Sequence, residues 1–116
     1  GLSSAKTLMT LSRFNGIVSF ICYDIFNIEP EFLNVNAARK SLDIKIDRKS
    51  DLSTKEQILS WAKQKLPDFN WPKRAIKSGS RKGLIINCNE CYDMSDAYVI
   101  SLAGIKTLKN VGLQKT

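Results

Sequence analysis

The stretch that most limits what this chain can become is Asp93-Met94-Ser95-Asp96-Ala97-Tyr98-Val99-Ile100-Ser101-Leu102-Ala103-Gly104. Two carboxylates three residues apart open a run that is otherwise apolar or small, and on a helix residues i and i+3 share a face. The run predicts a buried helix with an acidic mouth, Asp93 and Asp96 projecting together beside Ala97 and Ile100. Two adjacent carboxylates repel each other, and a divalent cation bound between them would relieve the repulsion. The plainer reading makes Asp93 the N-cap and Asp96 a first-turn acid favoured by the helix dipole.

A chain of 116 residues, 43% hydrophobic, supports one globular core and not two. The apolar positions of the first 28 residues are broken by Lys6, Arg13, Asn15 and Asp24, which argues against a membrane span or a signal peptide and for a soluble protein, expected in the cytoplasm with an organellar location open. Cys22, Cys88 and Cys91 are too few for a disulfide scaffold and suit a reducing compartment, with one thiol buried. Cys88-Asn89-Glu90-Cys91 has the spacing of half a zinc site, yet the chain contains no His and no second Cys pair to complete four ligands. The chain opens on Gly1 and enters a helical pattern at once, so further polypeptide upstream is expected.

The net charge of +7 is concentrated in the middle of the chain. Residues 1–35 carry −1, residues 36–82 carry +8 with 13 basic and 5 acidic side chains, and residues 83–116 are neutral. A basic block of this kind attracts a polyanion, nucleic acid being the usual one, although a lysine-rich solvated surface has the same composition.

Along the chain, Ser3 or Ser4 can cap a helix whose apolar positions Leu8, Leu11, Val18, Ile21, Cys22 and Ile25 recur at helical spacing. Phe14, Ile17 and Phe20 widen its apolar surface, so packing on more than one side is expected over residues 3–26, with Gly16 marking a close approach. After Pro30, Glu31-Phe32-Leu33-Asn34-Val35 alternates as a strand does, and Asn36 would cap a short helix to Leu42 carrying Arg39 and Lys40. A helix start with two cations behind a strand end suits a phosphate.

Ser53-Thr54-Lys55-Glu56 forms a capping box, and Ile58, Leu59, Ala62 and Leu66 give the following helix a core-facing stripe up to Pro67. Residues 67–92 read as a basic loop insertion in which Lys73, Arg74, Arg81 and Lys82 lie near Phe69 and Trp71, a composition that could track a nucleic-acid backbone and stack on bases and is equally that of a mobile insertion. Gly83–Cys88 could form a short strand, and the tail after Leu108 reads as frayed.

Taken together, Gly1-Leu2-Ser3-Ser4-Ala5, Leu11-Ser12-Arg13-Phe14-Asn15-Gly16-Ile17-Val18, Asn34-Val35-Asn36-Ala37-Ala38-Arg39-Lys40-Ser41-Leu42, Thr54-Lys55-Glu56-Gln57-Ile58 and Asp93-Met94-Ser95-Asp96-Ala97-Tyr98 resemble, in order and spacing, the C-terminal half of RuvC-like Holliday-junction resolvases of phage or viral type. The resemblance implies an α/β, ribonuclease H-like fold, here its helix-rich C-terminal part as a single partial domain with few strands. In that family four carboxylates hold two Mg²⁺ (or Mn²⁺) ions, and Asp93 and Asp96 match the pair on the last helix. The other two acids have no counterpart in the chain, so half of the site is expected elsewhere.

The same resemblance implies a homodimer acting on branched DNA, the helix at 3–26 being one possible contact. It makes Arg39, Lys40 and Asn36 backbone-binding residues, with Ser3 and Ser4 near the scissile region. Two other assignments fit the residues: another ribonuclease H-like nuclease such as a transposase, and a basic nucleic-acid-binding module without catalysis.

Overall fold

The structure, a computed structural model, describes the backbone of residues 4–114 and the side-chain surroundings of residues 4–110. The chain divides into two compact units, residues 1–32 and the remainder from Leu33.

The first unit is one helix, α1 (Ala5–Phe26). Ser4 caps it, its Oγ accepting from the Thr7 amide at 3.2 Å, and Asn27 ends it in the left-handed region with φ 55°. Asn tolerates that conformation better than most residues, so a one-residue stop suffices. The apolar pattern of α1 is helical as expected, and Phe14, Ile17 and Phe20 are all more than half exposed in the single chain.

The second unit contains α2 (Val35–Ser41), α3 (Thr54–Lys65), the strands β1 (Lys73–Ala75) and β2 (Ile85–Asn87), and α4 (Glu90–Gln114). The expected strand over 31–35 does not form. A strand needs a neighbour to satisfy its backbone, and here Asn34 starts a helix instead: its Oδ1 accepts from the amides of Asn36 and Ala37 at 2.9 and 3.2 Å. Asn34 and not Asn36 is therefore the cap of α2. The described residues are helix-rich, with one small sheet of two antiparallel strands among them.

The capping box of α3 forms as its sequence predicts. Ser53 Oγ accepts from the Glu56 amide, and Glu56 Oε2 accepts from the Ser53 amide at 2.8 Å and hydroxyl at 2.7 Å. Gln57 closes the loop before it, bonding the backbone of Asp47 through both ends of its amide and the Leu52 carbonyl at 2.9 Å. That clamp holds residues 47–52 without regular structure.

Residues 67–92 are not one loop. Lys73 pairs with Asn87, Arg74 with Ile86 and Ala75 with Ile85, and the ladder continues through Ile76 to Leu84 and Gly83. Gly79 and Gly83 turn the ribbon with φ of 86° and 88°, a region that favours glycine. The ribbon is tied to the start of α4 by the Pro72 carbonyl, which accepts from the Cys88 amide at 3.0 Å and from Cys91 Sγ at 3.2 Å. Trp71, expected to stack on bases, is buried instead, in edge-to-face contact with Phe69 at 4.9 Å. A large ring beside so small a core is held in it by the area it removes from water.

Helix α4 begins three residues before Asp93 and continues past Leu108 to Gln114. Asp93 is therefore not its N-cap. Its buried face is Cys91, Ser95, Val99 and Ala103, one residue per turn. Against it, Ile58 of α3 and Ala38 of α2 form one cluster with Val99 and Ala103, while Leu59 and Ala62 form a second with Cys91 and Trp71. Trp61 packs against both clusters, and its ring lies 6.1 Å from that of Tyr98, which faces the core. No described helix is long and apolar enough to cross a membrane.

Two outcomes test this core. Ile58 is completely buried, so Ile58→Ala should cost about 2–5 kcal/mol in urea unfolding, whereas half-exposed Leu52→Ala should stay within about 0.5 kcal/mol. The two bonds from Ser53 hold the Glu56 carboxyl below its ordinary pKa. A lowered carboxyl stabilises the fold above its unfolded value, near 4.3, and that contribution disappears as pH falls through the folded value. The stability difference between the chain and Glu56→Gln should accordingly shrink on acidification through that range, read from thermal melts at a series of pH values.

Candidate functional site

Helix α2 is anchored on α4 by Ala38, buried at its centre. The next residue, Arg39, consequently leans over the flank of α4, and its Nη2 donates to Asp96 Oδ1 at 3.2 Å. The far end of α2 is held as well, since Lys106 Nζ of α4 donates to the Ser41 carbonyl. A cation at that point complements the exposed carbonyls of a helix C-terminus. This fastening was not legible locally, because Ser41 and Lys106 are 65 residues apart.

Arg39 and Asp96 make up the one ion pair among the described residues. The Arg39 side chain is 17% exposed and that of Asp96 39%. Arg39 is thus mostly enclosed and already paired, with its Nε buried and unpartnered, which differs from the free phosphate-gripping cation that the sequence suggests. Lys40 and Asn36 are exposed. No strand end precedes them, so the strand-to-helix argument for a phosphate at this point does not apply.

Asp93 lies one turn before Asp96, exposed, and its carboxylate makes no hydrogen bond among the described residues. Asp93 and Asp96 thus lie one turn apart on α4, with Arg39 of α2 bonded to Asp96. The carboxylate oxygens of the two acids are hard donors of the kind Mg²⁺ and Mn²⁺ prefer. The count falls short: among the described residues no three His, Cys, Asp or Glu side chains come together to hold a metal ion. Cys88 and Cys91 are free thiols, Cys91 buried as the core requires.

The remaining residues singled out by the sequence lie elsewhere. Lys73 and Arg74 are neighbours on β1 and so point to opposite faces of the ribbon, while Arg81 and Lys82 sit in its turn, all four exposed. Ser4 is engaged in capping α1, and Ser3 lies outside the described residues. One functional candidate is absent from the sequence reading: Lys63 of α3, whose Nζ donates to Asn87 Oδ1 at 2.6 Å across to β2. Only the pairing of the ribbon brings those two together.

Comparisons with protein-family models, curated proteins and solved structures find no match to this chain.

A double-mutant cycle tests whether Arg39 and Asp96 interact as a unit. With Asp96 partly open to solvent, Arg39→Met and Asp96→Asn should show a coupling of about 0.5–1 kcal/mol in chemical denaturation. A coupling near zero would make the contact incidental to the fold.

Proposed function

We propose that Asp93 and Asp96 are the helix-borne half of a two-metal site that hydrolyses phosphodiesters in branched DNA, in the manner of RuvC-like Holliday-junction resolvases. The supporting observation is the 3.2 Å bond from Arg39 to Asp96, residues 57 apart in sequence, which brings a cation to the acidic start of α4 one turn after Asp93. The ribonuclease H-like assignment rests on the sequence resemblance.

The donor chemistry suits Mg²⁺ or Mn²⁺, but two carboxylates do not complete a site for two ions. When bound, two such ions activate a water and stabilise the leaving oxygen of a phosphodiester. On this reading the further carboxylates are supplied by other polypeptide. What this chain contributes is orientation. Arg39 holds one oxygen of Asp96 and leaves its second oxygen and both oxygens of Asp93 free of protein hydrogen bonds among the described residues. Exposed Lys40, on the same helix, supplies an unpaired cation for a nearby phosphate.

A second reading draws on the same ion pair. A carboxylate already neutralised by Arg39 has no need of a metal, which favours a basic nucleic-acid-binding module without catalysis. Cleavage of a four-way junction separates the two. The 116-residue chain alone should not cut with Mg²⁺ or Mn²⁺, whereas a longer natural polypeptide carrying the other carboxylates should, and Asp96→Asn in it should reduce the rate by about a hundredfold or more. Junction binding without cutting by that longer polypeptide, or cutting indifferent to both Asp93→Asn and Asp96→Asn, would select the non-catalytic module.

A further inference from the structure

A cleft of about 560 Å³ opens between α3, the ribbon and the first turn of α4, and neither Asp93 nor Asp96 lines it. Three cationic side chains reach it from three parts of the chain: Lys63 from α3, Lys73 from β1 and Arg81 from the turn of the ribbon. None has a carboxylate within 4.0 Å, since the one ion pair among the described residues is Arg39–Asp96. Glu56, also on the lining, has its carboxylate committed to the Ser53 amide and hydroxyl. Like charges gathered in a concave, partly enclosed site are less screened than on open surface, and an anion is the group that offsets them.

Lys73 stands opposite Asn87 in the ribbon, and both line the cleft with Lys63, while Arg74 does not. Asn87 gives its Oδ1 to Lys63 and keeps its amide nitrogen for another acceptor. Tyr92 adds a half-buried aromatic ring at the same place. A few convergent polar groups in a volume within the roughly 300–1,000 Å³ of small-molecule sites describe room for a nucleotide and not a bare phosphate.

We propose that this cleft binds one nucleotide of a single-stranded nucleic acid, with its phosphate on Lys63, Lys73 and Arg81 and its base against Tyr92 and the Asn87 amide. A strand is favoured over a free nucleotide because residues 73–82 carry five basic and no acidic side chains, so flanking phosphates meet further positive charge along the ribbon. The inference rests on the nucleic-acid part of the proposed function and is independent of the carboxylate site.

The test is fluorescence anisotropy of the full chain with a short labelled oligothymidine in EDTA, accompanied by amide NMR spectra. Lys73→Ala and Arg81→Ala should each weaken binding about tenfold, and Lys45→Ala, an equal loss of charge outside the cleft, less than about twofold. The Asn87 side-chain amide and the Tyr92 backbone amide should shift on binding. Spectra of the free variants establish that they are folded, and Lys63→Gln supplies a third probe from a different element.

Equal losses from Lys45→Ala and the cleft variants would reduce the binding to diffuse attraction and overturn the site. Thymidine monophosphate binding as tightly as the oligomer would overturn the strand in favour of a free nucleotide, and unmoved Asn87 and Tyr92 signals would overturn both. Because no metal is present, failure here leaves the carboxylate reading standing, and a catalytically silent Asp93–Asp96 pair leaves this binding intact.

Discussion

The second unit depends on how closely other helices can approach α4. Its buried face is Cys91, Ser95, Val99 and Ala103, one small side chain per turn, and that is where α2 and α3 lie against it. Small side chains lower the ridge between turns, so Ile58 and Ala62 of α3 and Ala38 of α2 reach zero or nearly zero exposure on a modest amount of apolar surface. Ser95 fits this face because its hydroxyl donates within the helix, to the Tyr92 carbonyl at 2.9 Å, so the buried hydroxyl is itself satisfied. A bulkier stripe would push α2 outward and carry Arg39 away from Asp96.

The ion pair follows from that packing and does not create it. With 39% of the Asp96 side chain open to water, the attraction is partly screened, so its direct contribution to stability is small beside the burial of Ile58 and Val99. Its consequence is geometric: one oxygen of Asp96 is held in place while Asp93, a turn earlier, stays open to solvent. The basic cleft is assembled by different means, through the pairing of the ribbon and the Lys63–Asn87 bond. Two candidate sites, one acidic and one basic, thus involve the first turns of α4, and neither Asp93 nor Asp96 lines the basic one.

Local signals were readable where the chain satisfies its own backbone within a few residues. The Ser53–Glu56 box, the Ser4 cap, and the period of α1 and α3 all came through, since caps and amphipathic stripes operate over three or four residues. The cap at Asn34 is masked in the sequence because the alternation from Glu31 to Val35 imitates a strand, and alternation by itself supplies no partner for a strand's hydrogen bonds. The ribbon was hidden for the opposite reason. Its two strands are three residues each, too short to show a period, and their pairing rests on glycines at 79 and 83 and on ladder bonds between distant positions. Trp71 was misplaced with it, because an aromatic ring among basic residues looks the same in sequence whether it faces bases or the core.

Local sequence signals dictate the set of helices, the acidic pair at Asp93 and Asp96 on one of them, and the concentration of positive charge between residues 36 and 82. Tertiary structure alone decided which of those charges meet. Arg39 is turned into the partner of Asp96 by the docking of α2 on α4, and Lys63 is placed beside Lys73 and Arg81 by the docking of the ribbon on α3. The physical reason is that helix and cap formation depend on neighbours along the chain, whereas a Coulomb interaction depends on distance through space, which only the packing sets.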